Sequence, residues 1–394
     1  MNLQKAFTII GDICQAEGWK KDQFIRIEDG KIKAVGNQAD LPSEFQDEVI
    51  RTESSDVIVP GFIDVHIHGA NGSDAMDATT DAIQNMASSL PKEGTTAFFP
   101  TTMTQRREAI ERALENLNSY IKNDNGPGKA EVAGIHLEGP FVNPKRKGAQ
   151  PGEYVIPPSV DVFDRWFELS GRTIKLVTLA PERDGGLELV RHLKELGVIP
   201  SIGHSDADYV EVKAAVEAGA SHITHLYNGM KGLHHREPGT AGAALLLDEL
   251  HVEIIADGFH IRPEMIDLAI RLKGLDKVVL ITDAMRAKGL KDGKSELGGQ
   301  TVYVSNGKAT LEDGTLAGSI LKLNHGVKNI MDFAGLSLPE AIKLATENPA
   351  REFGLYDRKG SIAPGKDADL VVLNAEYEPV LTLCRGETAF DGRK

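Results

Sequence analysis

The sequence predicts an α/β protein: a (β/α)8, TIM-like barrel joined to a small β domain built from both chain ends. Three observations carry this. Eight short, almost continuous apolar runs recur through the middle of the chain. Segments with helical apolar spacing, often ended by glycine, lie between them. Both ends of the chain read as short strands and turns, and neither end is large enough for a core of its own.

The N-terminal stretch "QFIRIEDGKIKAVG" reads as two strands joined at Asp29-Gly30, a favoured hairpin turn. The last forty or so residues read similarly, with "DADLVVLN" and "PVLTLCRG" as strands. The economical arrangement joins residues 1–57 and 355–394 in one small β domain, with residues 58–354 inserted as the barrel. In the middle come "GFIDVHIHG", "TTAFFPTT", "VAGIHLEGP", "IKLVTLAPE", "IPSIGHS", "HITHLYN", "VEIIADGFH" and "VVLITDAM". Stretches such as "GGLELVRHLKELG" and "ADYVEVKAAVEAG" separate them. Buried apolar strands alternating with helices mean a parallel sheet, and eight such units suit a closed barrel. A doubly wound sheet would call for a Gly-rich phosphate loop after the first strand, and none follows. Residues 297–319 read as an extra β excursion after the eighth strand.

Composition narrows the function. The 394 residues carry 58 acidic and 44 basic side chains, a formal net charge of −14. Such a surface repels nucleic acid and anionic membrane, so neither is an expected partner. Cys14 and Cys384 are too few for a disulfide framework and are expected to be reduced thiols of a cytoplasmic protein. The N-terminal segment lacks the flanks of a signal peptide, and no run of about 18 apolar residues suggests a membrane span.

In a barrel the chemistry sits where strands end. The first apolar run ends in His66 and His68, the third in His136 and Glu138, the fifth at His204, the sixth at His225. The seventh ends in Asp257 and His260, the eighth in Asp283. Residues two apart on a strand share a face, so His66 and His68 can both point inward. Glu138, His204 and His225 come from three strands and can converge on one axis. One carboxylate with two imidazoles is a common set for a hydrolytic zinc with an open position, and iron, manganese or cobalt would also accept it. A single histidine at a strand end is more often a hydrogen-bonded structural residue, and an isolated HxH is weak evidence. The constellation along one rim carries the reading. His192, His234, His235, His251 and His325 are read as solvated or structural, His136 as a supporting residue, and His222 as lying at the start of its strand, away from the rim.

The motifs "PGFIDVHIHG", "HLEGPF", "GHS", "THLYNGM…REPG", "ADGFH", "TDAM" and "GSIAPGKDADLVVL" occur in that order over nearly the whole chain. In them the sequence resembles the amidohydrolase superfamily, and within it the amino-sugar-phosphate deacetylase family. Relatives that open cyclic amides typically carry a carboxylated lysine after strand four. Here that run ends "VTLAPE", without a lysine.

The resemblance implies hydrolysis of N-acetyl-D-glucosamine 6-phosphate to D-glucosamine 6-phosphate and acetate in amino-sugar catabolism. It implies one or two divalent metals per chain, Zn2+ or Fe2+ first and Mn2+ or Co2+ also acceptable. Glu138, His204 and His225 would hold one. His66 and His68 would hold a second, with Glu138 as the bridge, and Asp283 would be the catalytic acid/base. It also implies substrate contacts from Ala149, Gln150, Asp257, His260, Leu316, Ala317 and Gly318, and a phosphate site of Asn228, the Gly229 backbone and Arg236. Many relatives carry histidine where this chain has Gln150. In the family the arginine can come from the neighbouring subunit, which implies a homodimer. A deaminase or cyclic amidase on the same scaffold is the alternative, and a non-catalytic relative a more distant one, since every candidate ligand is present.

Overall fold

The computed structural model describes residues 6–41 and 48–393; the first five residues of the N-terminal segment and Lys394 lie outside it. Eight parallel strands form the barrel: β1 (Phe62–Ile67), β2 (Thr95–Pro100), β3 (Ile135–Glu138), β4 (Ile174–Leu179), β5 (Ile199–Ile202), β6 (His222–Ile223), β7 (His251–Ile255) and β8 (Val278–Ile281). β1 pairs with β2, and β3 to β8 pair in sequence order. The bridges Thr101–His136 and Ile67–Ala284 close the ring. These are the eight apolar runs of the sequence.

A helix follows each strand. Tyr209–Ala218, after β5, shows why these segments are helical. The Asp208 carboxylate accepts from the Glu211 N–H and Glu211 returns the bond to the Asp208 N–H. This satisfies two amides that the first turn leaves unpaired. Gly219, at φ 126°, ends the helix.

Strand alternation sorts the core into two shells. Val177, Leu179, Ile254, Val278 and Leu280 face the helices, meeting Leu117, Trp166, Leu193 and Ile266. Val65, Phe99, Leu176, Ile255, Val279 and Ile281 form another cluster with Phe353 and Leu355. Side chains from five strands meet in it, as happens inside a barrel. β1 breaks the rule. Ile63 and Val65 belong to the inner cluster, but Ile67, of the same parity, belongs to the outer one. The pairing of β1 with β2 shifts register between Asp64 and Ile67. That irregularity reverses the phase of the strand and turns His66 and His68 inward.

Strands from both chain ends form one eight-stranded sheet. Its order is Glu387–Asp391, Pro379–Cys384, Leu370–Leu373, Val57–Pro60, Phe7–Gln15, Gly18–Glu28 and Lys31–Asn37, with Glu48–Arg51 paired to Phe7–Gln15. Its core packs Ile9, Ile13, Ile25, Ile27 and Ile58 against Leu370, Val372, Leu381 and Leu383. Asp29 and Gly30, at φ 53° and 72°, make the expected hairpin turn.

A buried charge network ties this sheet to the barrel. Glu131, on a short strand beside β2, meets Arg358 at 2.5 Å and Lys359 at 2.8 Å. Lys359 also meets Asp367 and Asp369. Burial opposes the charge on Glu131, but Arg358 and Lys359 outweigh it and hold its carboxyl down at about 2.

The excursion after β8 is a three-stranded antiparallel sheet, Gly293–Leu297, Gln300–Ser305 and Lys308–Thr310. Cys14 and Cys384 are buried and unpaired. Among the described residues, no helix is long and apolar enough to cross a membrane.

Candidate metal centre and active site

The rim residues of five strands meet at one end of the barrel. His204 Nε2 and His225 Nε2 each lie 3.2 Å from Glu138 Oε1 and 3.1 Å from one another. His68 Nε2 lies 3.2 Å from Glu138 Oε2 and 3.3 Å from Asp283 Oδ1. His66 Nε2 lies 3.4 Å from Asp283 Oδ1 and 3.7 Å from Glu138 Oε1. All six side chains are buried. Three sets have donor atoms close enough to share an ion: Glu138 with His204 and His225, His66 with His68 and Asp283, and His66 with His136 and Glu253.

The far nitrogens decide what this pocket can hold. His66 Nδ1 donates to Glu253 at 2.9 Å, His68 Nδ1 to the Thr101 carbonyl at 3.2 Å, and His204 Nδ1 to the Arg146 carbonyl at 2.8 Å. A neutral imidazole that donates at Nδ1 presents a lone pair at Nε2. Three such lone pairs aim at two buried carboxylates, and His66 Nε2 has no hydrogen-bond partner among the described residues. This set is repulsive unless positive charge enters it. Burial opposes protonation of His68, yet Asp283 and Glu138 outweigh it and hold its pKa well above the usual histidine range. Glu253, Asp283 and Glu138 likewise push His66 up to about 9 against the opposing effect of burial. The donors, imidazole nitrogens and carboxylate oxygens with fixed outer partners, fit one or two divalent cations.

Three of these residues have left-handed backbones without being glycine: His204 at φ 49°, His225 at 31° and Asp283 at 48°. The Asp283 N–H donates to the His66 carbonyl and its own carbonyl accepts from Ser319, which fixes this turn between β1 and β8.

The cavity above the cluster is about 210 Å³, roughly seven times the liquid volume of one water, which suits a monosaccharide. Ala149, Gln150, Asn228, Gly229, His260, Leu316 and Gly318 line it with the metal-ligand candidates. Gly229 sits at φ 58°, and a Cβ there would come within 2.8 Å of His204 Nδ1, so only glycine fits. Met103, Gly148, Leu297 and Thr315 also line the cavity and carry no chemistry-bearing motif in the sequence.

Four predicted contacts are placed differently. Asp257 accepts from His260 Nδ1 at 2.6 Å, so it holds that ring and lies outside the cavity lining. Ala317 is buried among Met285, Val302 and Ala309. Gln150 lines the cavity, but its amide is engaged at both ends: Nε2 donates to Glu138 Oε2 and Oε1 accepts from the Thr104 N–H, both at 2.8 Å. Arg236 is exposed, with its guanidinium against His235 Nε2 at 2.7 Å. Among the described residues, no lysine or arginine lines the cavity.

Sequence reasoning missed Glu253. It is fully buried under the rim, and its signal was a lone charge in the apolar run "VEII". His222, at the start of β6, joins Glu253 at 3.1 Å to Glu352 at 2.6 Å. His136 bonds to Thr178 at 2.7 Å and supports the wall.

Comparison with known proteins places this geometry. The model of the amidohydrolase family matches residues 57–391. N-acetylglucosamine-6-phosphate deacetylase of Bacillus subtilis (strain 168) is 48% identical over 371 residues, covering 94% of this chain and 93% of that protein. N-acetylgalactosamine-6-phosphate deacetylase of Escherichia coli O157:H7 is 38% identical, covering 91% and 92%. Among solved structures, a mutant N-acetyl-D-glucosamine-6-phosphate deacetylase from Mycobacterium smegmatis, in complex with N-acetyl-D-glucosamine-6-phosphate, matches with a TM-score of 0.90 at 30% identity. The match covers 98% of this chain and 99% of that one.

Proposed function

The chain belongs to the amidohydrolase family, and from that premise we propose that it hydrolyses N-acetyl-D-glucosamine 6-phosphate to D-glucosamine 6-phosphate and acetate. The observation that carries the reading is the convergence of four imidazole Nε2 atoms on Glu138 and Asp283 beneath a sugar-sized cavity. Glu138, His204 and His225 would hold one divalent metal, and His66, His68 and Asp283 would hold a second beside it. Zn2+ or Fe2+ suits these donors best. When bound, a divalent cation supplies Lewis acidity, acidifying water and polarising the acetyl carbonyl.

The rest falls to the chain. An amide nitrogen leaves only when protonated, so a group must take a proton from the attacking water and return it to that nitrogen. Asp283, at the cavity floor with its backbone fixed on both sides, is placed for both transfers. Gln150 fixes the second oxygen of Glu138 and keeps that carboxylate in one orientation. Asp257 holds the His260 ring through Nδ1 at the cavity wall, which leaves Nε2 as the nitrogen available to the sugar. Leu316 and Gly318 cover the sugar, and Ala149 flanks it.

Asn228 and the Gly229 amide receive the phosphate. A dianion also needs a cation, and among the described residues no lysine or arginine lines the cavity. Arg236 of a neighbouring copy supplies it, so the working unit is a homodimer. Phosphate binding remote from the amide then helps to position the acetyl carbonyl. Two buried, unpaired cysteines suit a reducing cytoplasm.

The test is a product assay with N-acetyl-D-glucosamine 6-phosphate and its galactosamine epimer, with acetate and ammonia measured separately and metal counted per chain. Acetate release with the glucosamine substrate preferred is expected. Ammonia release from an amino-purine or amino-pyrimidine panel, without acetate release, would overturn the assignment.

A further inference from the structure

We propose that Glu253, one layer below the metal centre, is a positioning residue that supports both metal positions at once. The inference rests on the metal-dependent reading above and adds a residue that this reading does not need. Glu253 lies on β7 and is fully buried. Its Oε2 accepts from His66 Nδ1 at 2.9 Å and from the His225 backbone N–H at 2.9 Å. Its Oε1 accepts from His222 Nε2 at 3.1 Å. One oxygen therefore ties β1 to the end of β6, and these two strands carry ligands for different metal positions.

The two bonds act differently. At His66 the bond fixes which nitrogen carries the proton and leaves Nε2 as a lone pair toward Asp283 and Glu138. His68 and His204 are held the same way, but by neutral carbonyls. Among these three, His66 alone has a carboxylate behind it, which makes it the more basic ligand. At His225 the bond holds the backbone in its left-handed turn at φ 31°. The His225 ring has no partner at Nδ1 among the described residues, so its backbone fixes where the ring points. An amide in place of this carboxylate has one acceptor and one donor group. It cannot accept from His66 and His225 on one side and from His222, whose other ring nitrogen faces Glu352, on the other.

The test compares wild type, Glu253→Gln and Glu352→Gln by chelator competition, reading the affinity for each of two Zn2+ ions on protein of verified circular dichroism. Glu352 holds His222 but touches no ligand candidate, so its variant reports a purely structural effect. Glu253→Gln is expected to weaken both Zn2+ ions by about 10- to 100-fold, while Glu352→Gln stays within about threefold on that scale. Should Glu253→Gln fail to fold, Glu253→Asp, which keeps the charge and shortens its reach, is read in its place. Wild-type affinity at either position in the Glu253 variant, or an equal loss in the Glu352 variant, overturns the inference. A wild type that binds no metal overturns instead the reading on which it rests.

Discussion

Asp283→Asn isolates the chemical step. The perturbation is nearly isosteric, and the backbone at this position asks for no compensation. Asp283 sits at φ 48°, a left-handed conformation that asparagine adopts as readily as aspartate. Its N–H bond to the His66 carbonyl at 2.8 Å and its carbonyl bond from Ser319 at 2.7 Å involve no side-chain atom. What disappears is the proton acceptor 3.3 Å from His68 Nε2 and 3.4 Å from His66 Nε2. Loss of a positioned general acid/base costs about 10²- to 10⁴-fold in rate, or about 3 to 5 kcal/mol of barrier. Acetate release at saturating N-acetyl-D-glucosamine 6-phosphate should fall by that factor, with KM changed only a few-fold because the proposed phosphate contacts lie elsewhere. Rates are compared at equal metal content, since the same substitution removes a candidate ligand. A kcat within tenfold of wild type at equal metal content would refute the role.

Other perturbations separate the remaining parts. Arg236→Ala should raise KM for the phosphorylated substrate and leave the unphosphorylated sugar nearly unchanged; equal effects on both would remove Arg236 from the phosphate site. Replacing His66 and His68 by alanine should lower metal content from two toward one per chain and leave measurable turnover, and loss of both metals would show that the two positions cannot be separated. Glu131 has its carboxyl held down at about 2, below the usual 4.5, so its stabilising charge is fully present above pH 4.5 and is lost as pH falls through about 2. The stability gap between wild type and Glu131→Gln in urea unfolding should therefore shrink from about 3 kcal/mol near pH 6 toward zero near pH 2, and a gap independent of pH would refute the coupling.

The barrel was legible because burial on both faces forces each strand to be apolar almost throughout, and the runs stop where side chains reach the rim. His204, His225 and Asp283 each stand at the end of such a run, so their position together on one rim made them candidate ligands and a candidate acid/base. The support beneath them was hidden. Glu253 and His222 sit inside or at the start of their runs, where one polar residue looks like noise in an apolar strand. Their partners, His66 and Glu352, are distant in sequence. The phase of β1 was hidden for another reason. Alternation correctly put His66 and His68 on one face, but an irregularity between Asp64 and Ile67 decides which face that is. The Glu131–Arg358 pair, whose members are 227 positions apart in sequence, depends on how the chain ends return to the barrel, and no local pattern encodes it.

The left-handed residues at the rim argue for function independently of any motif. A strand that must turn sharply at the barrel mouth does so most cheaply through glycine, which has no Cβ to clash. His204, His225 and Asp283 take that conformation with a side chain attached, at a cost of about 1 to 3 kcal/mol each. Histidine and aspartate tolerate it better than most residues, but neither is the stable choice. Each turn is held by bonds from another element: Asn143 donates to the His204 carbonyl, Glu253 accepts from the His225 N–H, and Ser319 donates to the Asp283 carbonyl. A fold selected for stability alone would place glycine at these three points. Nine other non-glycine residues among those described share this conformation, Tyr227 beside His225 included; these three are set apart because their side chains, two imidazoles and a carboxylate, meet around Glu138.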